Sequence, residues 1–298
     1  MASVRQSMKT GFMQFAYMPP DKMKPLDLIT WQAKELMAMG GNVLCGGFSL
    51  PEEDAGKEEI RELFTKNNLE FELYASGWQD FKTDKEKAKE AVLASIRRSK
   101  YFDNIILRSA YNGGLRYELS RFNRERPVKE QMQFVISCLK DAAGIFEAEG
   151  VYLAIENHCD FTGRELAEIL SAVNSKHVGC ALDTGNSYTV YTDPNDDMDV
   201  LAEFTFTTHI KDMAVVRYES SLDLIPFQAR GCAVGDGNVD VKRAVDLLSK
   251  KSPFARGLRL IIEHGWMEIP QGEDPGEYGR ACLKKGMKYL NNLIGRGQ

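Results

Sequence analysis

Eight short apolar runs, separated by stretches with helical spacing, constrain the fold of this chain more than any other feature. They cover 11–17, 42–46, 69–75, 104–108, 151–158, 178–183, 204–211 and 258–263. Runs of this length read as strands, and strands alternating with helices imply a parallel sheet, because a parallel partner needs a crossover connection. Helical patterns are expected over 26–39, 51–66, 84–100, 128–148, 162–173, 239–250 and 277–293. Gly40-Gly41 and Gly150 stop two of them, and Thr162 with Glu165 three residues on has the form of a capping box. Eight strand–helix units close into an α/β fold of the (β/α)8 TIM barrel type. At 298 residues the chain is expected to form one domain over 1–298. The stretch 213–238 is longer than an ordinary barrel connection and reads as a loop that walls or covers a site.

Composition narrows the function classes. With 43% hydrophobic residues the chain can bury a sizeable core. A formal net charge of −5 leaves no basic excess to release counterions from a nucleic-acid backbone, so no nucleic-acid partner is expected. Six scattered cysteines without a Cys-x-x-Cys pair fit reduced thiols better than a disulfide framework. No apolar run reaches the roughly 18 residues of a membrane helix, and 1–7 lacks the run of a signal peptide. The expectation is a cytoplasmic protein with no membrane partner.

In barrels of this class the chemistry sits at the C-terminal ends of the strands. Four successive runs end in Glu156, Asp183, His209 and Glu263. Side chains alternate along a strand, and parity points all four inward. On the fifth run Val151, Leu153 and Ile155 face out, while Tyr152, Ala154 and Glu156 face in. On the seventh, the same rule sends Phe204 and Phe206 out and Thr205, Thr207 and His209 in. One strand-end acid is commonly a cap or an ion-pair partner, and a lone histidine a satisfied core residue. One such group on each of four consecutive strands points instead to a metal site. Three carboxylates and an imidazole form a hard, oxygen-rich set suited first to one Mn2+, with Mg2+, Co2+ or Zn2+ as further candidates. A cation would also keep three converging carboxylates ionised.

The segments Ile155-Glu156-Asn157-His158, Leu182-Asp183-Thr184-Gly185-Asn186, His209-Ile210-Lys211-Asp212, Gly235-Asp236-Gly237-Asn238-Val239-Asp240 and Ile262-Glu263 resemble the xylose-isomerase-like sugar phosphate isomerase/epimerase superfamily. The resemblance spans nearly the whole chain and is best from 150 to 265. It implies that Glu156, Asp183, His209 and Glu263 hold one divalent metal gripping two neighbouring oxygens of a sugar-like substrate. Asn186 departs from the pattern, since the endonuclease IV branch and the ketose 3-epimerases carry a histidine there. With only four histidines, none before 158, phosphodiester hydrolysis is disfavoured. Glu-Asn-His resembles inosose dehydratase-like members and the lyases that cleave 3-oxo-glycosides, including C-glycoside deglycosidases. That likeness makes His158 a general base beside the metal; an orienting hydrogen bond to a ligand carboxylate is the other reading.

Lys211 follows His209 by two and faces the same site, either to stabilise a developing enolate or to pair with Asp212 or Glu263. Arg230, Arg108, Trp78 and Trp266 are candidate substrate contacts, with Tyr111 beside them, and packing is the alternative for each. Gly235-Asp-Gly237 lacks the preceding strand and third glycine of a dinucleotide fingerprint and reads as a tight turn.

The expected function is a metal-dependent sugar isomerase or epimerase. It would abstract a proton next to a carbonyl, with Glu156 and Glu263 as the acid–base pair and the metal holding the enediolate. The alternative is a lyase, either a C-glycoside deglycosidase or inosose dehydratase-like, with His158 as base. A third is a non-catalytic subunit of a larger complex. The expected partner is a small sugar, cyclitol or oxidised glycoside, and the resemblance implies a homo-oligomer, with room for a companion subunit.

Overall fold

A computed structural model describes residues 2–19, 21–47, 50–111, 120–217, 227–265 and 267–296. After a short helix α1 (Ala2–Ser7), the chain alternates β1 (Lys9–Met13), α2 (Pro25–Ala38), β2 (Val43–Gly46), α3 (Asp54–Lys66), β3 (Glu70–Tyr74), α4 (Lys85–Tyr101), β4 (Ile106–Ser109) and α5 (Val128–Ala148). It continues with β5 (Tyr152–Glu156), α6 (Gly163–Val173), β6 (Val178–Asp183), α7 (Pro194–Leu201) and β7 (Thr205–Ile210). A ribbon of β8 (Asp212–Arg217) and β9 (Phe227–Cys232) precedes α8 (Val241–Lys251), β10 (Arg259–Ile262) and α9 (Pro275–Leu293). The eight strands other than the ribbon pair in parallel and close into a barrel, β10 bonding to both β7 and β1. This is the TIM barrel that the strand–helix alternation requires.

Outward-facing Leu44, Leu153, Leu182 and Leu260 pack with Leu36, Leu139 and other helix residues in one continuous layer. Each fully buried leucine of this kind contributes about 1.5–3 kcal/mol. Two further small apolar groups pack separately from it: Met13, Val43, Cys45 and Ile261, then Ile106, Ala154, Ala181 and Phe206. The helices begin where side chains satisfy their free amide groups. Asp84, Asp193, Asp240 and Asp274 each accept from an amide in the first turn, and Thr162 and Glu165 complete a reciprocal capping box.

Four departures from the sequence expectation have local causes. β1 ends at Met13 rather than at 17, because the backbone turns through Gln14–Ala16. There the buried Gln14 and Gln32 exchange amide hydrogen bonds, with Gln32 Nε2 donating to the carbonyls of Gln14 and Tyr17. A helix, α7, occupies a stretch with no expected element; eight residues are too few to display a period, although Asp193-Pro194 is a start signal. Phe206 faces into the barrel, not out, because a bulge opposite Cys180 and Ala181 shifts the register of β7 and resets its parity. The expected loop 213–238 is largely an antiparallel ribbon running from the Asp212–Cys232 pair to the Arg217–Phe227 pair, with 218–226 outside the described residues. Asp212 anchors its base by accepting from the amides of Gly235, Gly237 and Val239, which accounts for the Gly-Asp-Gly turn.

All six cysteines are free. Among the described residues no helix is long and apolar enough to cross a membrane.

Candidate metal centre

Glu156 and Asp183 are the last residues of β5 and β6, His209 is the penultimate residue of β7, and Glu263 follows β10 directly. Register sets Asp183 opposite His209, but Glu156 opposite Ala181 and His209 opposite Ile261, so the four are staggered along their strands and the tilt of the strands in the closed barrel brings their side chains together. One ligand atom from each lies within 4.8 Å of those from the other three. Glu156, Asp183 and His209 are buried, while the Glu263 side chain keeps 19% of its surface exposed and marks the open side.

Two buried atoms in this group have no hydrogen-bond partner: His209 Nδ1 and Asp183 Oδ2. Glu263 Oε2 stands 2.5 Å from Nδ1 and Glu156 Oε1 3.6 Å away, close enough for ion pairing but outside hydrogen-bond geometry. An imidazole nitrogen and a carboxylate oxygen, both buried, held by ion pairs without hydrogen-bond geometry and aimed at two further carboxylates, are the donor arrangement a divalent cation fits. The other atoms are occupied elsewhere. Asp183 Oδ1 accepts from the amides of Gly185 and Asn186, and Asn157 ties β5 to β6 through two bonds with the Asp183 backbone.

Two buried cations brace the carboxylates. Arg108, from β4, donates to Glu156 Oε2 at 2.7 Å and lies over the Tyr74 ring. Lys211 Nζ stands 3.1 Å from Asp183 Oδ2 and 3.0 Å from Glu263 Oε1, and donates to Asn186 Oδ1 at 2.9 Å. The Asn186 amide donates in turn to Glu156 Oε1 at 3.2 Å. Burial alone would raise the Glu156 pKa, but His209 and then Arg108 outweigh it and hold the carboxyl at about 2. Burial acts the same way on Glu263, where Lys211 and His209 prevail and keep it well below the usual carboxylate range. For Asp183 burial wins and the shift is upward despite Lys211. His209 is pulled well above its ordinary value, because Glu156 and Glu263 overcome both burial and the Arg108 charge.

Below the donors lies a second layer that the sequence reading missed. His209 Nε2 is 3.7 Å from Cys45 Sγ, which is 3.7 Å from Glu72 Oε1. Glu72 also accepts from Thr207 Oγ1 and from Arg259 Nη1. The available signal was parity: Glu70 and Glu72 interrupt an otherwise apolar strand on its inward side, where a carboxylate needs a partner.

The remaining candidate residues fall in different places. Trp78 is not a substrate floor: it is a core side chain, 1% exposed, its indole donating to Ser109 Oγ. Arg108 braces Glu156 instead of lining open space. Arg230 lies on β9 and pairs with Glu268. Tyr111 is buried and stacks on Phe161. Trp266 lies outside the described residues. His158 is half-buried in the loop after β5, with Nδ1 3.1 Å from Cys159 Sγ, and it groups with Cys159 and Asp160 rather than with the four donors.

Comparison with known proteins follows the same lines. The chain is 24% identical over 178 residues to the 3-oxo-isoapionate decarboxylase of Pectobacterium atrosepticum, covering 59% of this chain and 62% of that one. It therefore spans less than two thirds of the length of the curated relative it matches. A xylose isomerase-like TIM barrel protein from Mycobacterium smegmatis, solved in complex with magnesium, superimposes with a TM-score of 0.68 at 13% identity over 97% of both chains. The D-psicose 3-epimerase of Clostridium cellulolyticum H10, solved with D-tagatose, gives a TM-score of 0.68 at 13% identity over 96% of this chain and 99% of the other. The profile of one family matches residues 32–291, which takes in every barrel strand but β1 and all four converging side chains. The chain belongs to the xylose isomerase-like TIM barrel family.

Proposed function

We propose that this protein is a divalent-metal-dependent enzyme that generates an enediolate next to a carbonyl of a sugar-like substrate and completes the reaction as a lyase. The observation that carries the proposal is the convergence of Glu156, Asp183, His209 and Glu263, with His209 Nδ1 and Asp183 Oδ2 lacking hydrogen-bond partners. These four residues would hold the ion, with Mn2+ or Mg2+ suiting the donor set. When bound, the ion would supply Lewis acidity to the carbonyl and an adjacent hydroxyl.

The chain's own residues bear on the outcome. Isomerisation or epimerisation asks Glu156 and Glu263 to exchange protons with carbon on opposite sides of the substrate. Glu156 is poorly suited to that task, since Arg108 engages one oxygen and Asn186 the other, and it is buried. Charge points the same way. Arg108 and Lys211 offset two of the three carboxylates, so a divalent ion leaves the site with one net positive charge. Such a site stabilises an anionic substrate or a developing oxyanion. A lyase needs only one base, and His158, in the loop two residues beyond Glu156, is the candidate: Cys159 engages Nδ1, which leaves Nε2 for the proton. The decarboxylase relative adds support for a 3-oxo sugar acid as the substrate class. In a decarboxylation no carbon-bound proton would be taken: the carboxylate would leave as carbon dioxide, its bonding pair would pass into the enediolate, and His158 would act as the acid that returns a proton to carbon. Isomerase or epimerase activity is the second reading.

Incubation of Mn2+-loaded protein in D2O with ketoses, inososes, 3-oxo-glucosides and 3-oxo sugar acids separates them. Release of carbon dioxide, water or an aglycone is expected; deuterium entering recovered sugar with no group lost would establish the isomerase instead. His158→Asn is expected to retain Mn2+ binding while losing about 100-fold or more in turnover, the usual scale of a general base. A parallel loss of metal affinity would make His158 a structural residue.

A further inference from the structure

Lys211 is among the most deeply buried charged side chains of the chain, at 1% exposure. Its stem runs through a slot bounded by two glycines. A methyl group at Gly185 would stand 2.9 Å from its Cγ, and one at Gly265 would stand 3.1 Å from Cε and 3.5 Å from Nζ. Both positions lack a side chain where one would press on the lysine. Its backbone is pinned as well, the amide donating to Thr184 Oγ1 and the Thr184 hydroxyl donating to the Lys211 carbonyl. The ammonium then reaches Asp183, Glu263 and Asn186, and through the Asn186 amide it is linked to Glu156. Three of the four converging donors thus meet this one cation directly or through a single amide.

The oxygen it approaches on Asp183 is Oδ2, the same atom that has no hydrogen-bond partner and faces the other donors. We infer that Lys211 is a built-in counter-ion: it keeps the carboxylates assembled before metal arrives and competes with the divalent ion for Asp183 and Glu263. The inference rests on the metal reading above. An ion entering the cluster must share these oxygens with a positive charge held in a site of low dielectric, so the lysine lowers metal affinity. In return the donors need no rearrangement on binding, because mutual repulsion has already been offset. Lys211 is on this view a positioning residue that sets how tightly metal is held.

This assignment reverses the sign expected of a residue that merely orients ligands. Removing an orienting residue weakens metal binding; removing a competing cation strengthens it. Lys211→Met removes charge and hydrogen bonds, while Lys211→Gln retains a donor for Asn186 without the charge. Both are expected to bind Mn2+ about tenfold or more tightly than the wild type by calorimetry. Both should also melt at lower temperature when metal-free, with the loss made good by Mn2+. A variant that folds only with Mn2+ present supports the same conclusion. Folded variants with unchanged or weaker affinity overturn it while leaving the metal reading intact. If the wild type takes up no divalent ion but the variants do, the competition is upheld. If none of the three binds one, the metal reading falls and the competition with it.

Discussion

Replacing His209 with alanine is expected to remove both the response to metal and the activity. At Mn2+ concentrations about 100 times the dissociation constant, a ligand bound only by the folded state raises unfolding free energy by about 2.7 kcal/mol. The wild type should show that increment in denaturant titrations with and without Mn2+, and His209→Ala should lose nearly all of it. The argument rests on geometry, since Nδ1 is buried, without a hydrogen bond and aimed at the three carboxylates. A variant retaining the increment would show that the imidazole is only packing. The metal-free wild type carries a second signature. Glu156 and Glu263 overcome burial and raise the folded pKa of His209. Its contribution to stability is therefore fully present below the unfolded value of about 6.5 and is lost as pH rises through the raised folded value. Metal-free His209→Ala should lack that alkaline decline.

Breaking the Arg108–Glu156 pair is expected to have the largest effect on stability. Both partners are buried, and Arg108→Leu leaves Glu156 without its guanidinium, which typically costs about 3–5 kcal/mol. Removing both charges together is far milder in comparable cases, so Arg108→Leu with Glu156→Leu should recover much of the loss. The pH dependence of the metal-free protein follows from the direction of the shift. Burial raises the Glu156 pKa, but His209 and Arg108 bring it down to about 2. The stability it contributes is present above the unfolded carboxylate value, about 4.3, and is lost as pH falls through about 2. Without Arg108 this acid limb should move to higher pH. Urea titrations across the acid range read both effects, and an Arg108→Leu variant within 1 kcal/mol of the wild type, a change on the order of ordinary surface substitutions, would show the pair to be dispensable.

The barrel was legible because its signals are local and repeated. Each strand is a short apolar run and each crossover has helical spacing, so a mistaken boundary at one unit leaves the other seven intact. β1 ends early and α7 was unexpected, yet neither changes the closure of the sheet. The ribbon β8–β9 was hidden for a different reason. Its pairing depends on residues that meet across the undescribed 218–226, and its base is fixed by Asp212 reaching forward to Gly235 and Gly237. Trp78 misled because an aromatic after a strand looks alike whether it floors a site or fills the core; its bond to Ser109, from a different strand, decides the matter.

What the amino-acid sequence determined by itself was the set of four side chains that meet. Alternation along a strand is a fixed property of extended backbone, and parallel strands carry their C-terminal ends to one rim. Parity failed at Phe206, where the bulge in β7 resets the phase before His209 and still leaves the imidazole inward. Only the tertiary structure decided how those four are compensated. Arg108 lies 48 residues from Glu156, and Asn186 lies 25 residues from Lys211. Cys45 is 164 residues from His209. The pairing of buried charges depends on separations of a few ångströms between strands remote in sequence, and no local period encodes them. The donors were thus written in the strand pattern, while the cations and amide that brace them were set by closure of the barrel.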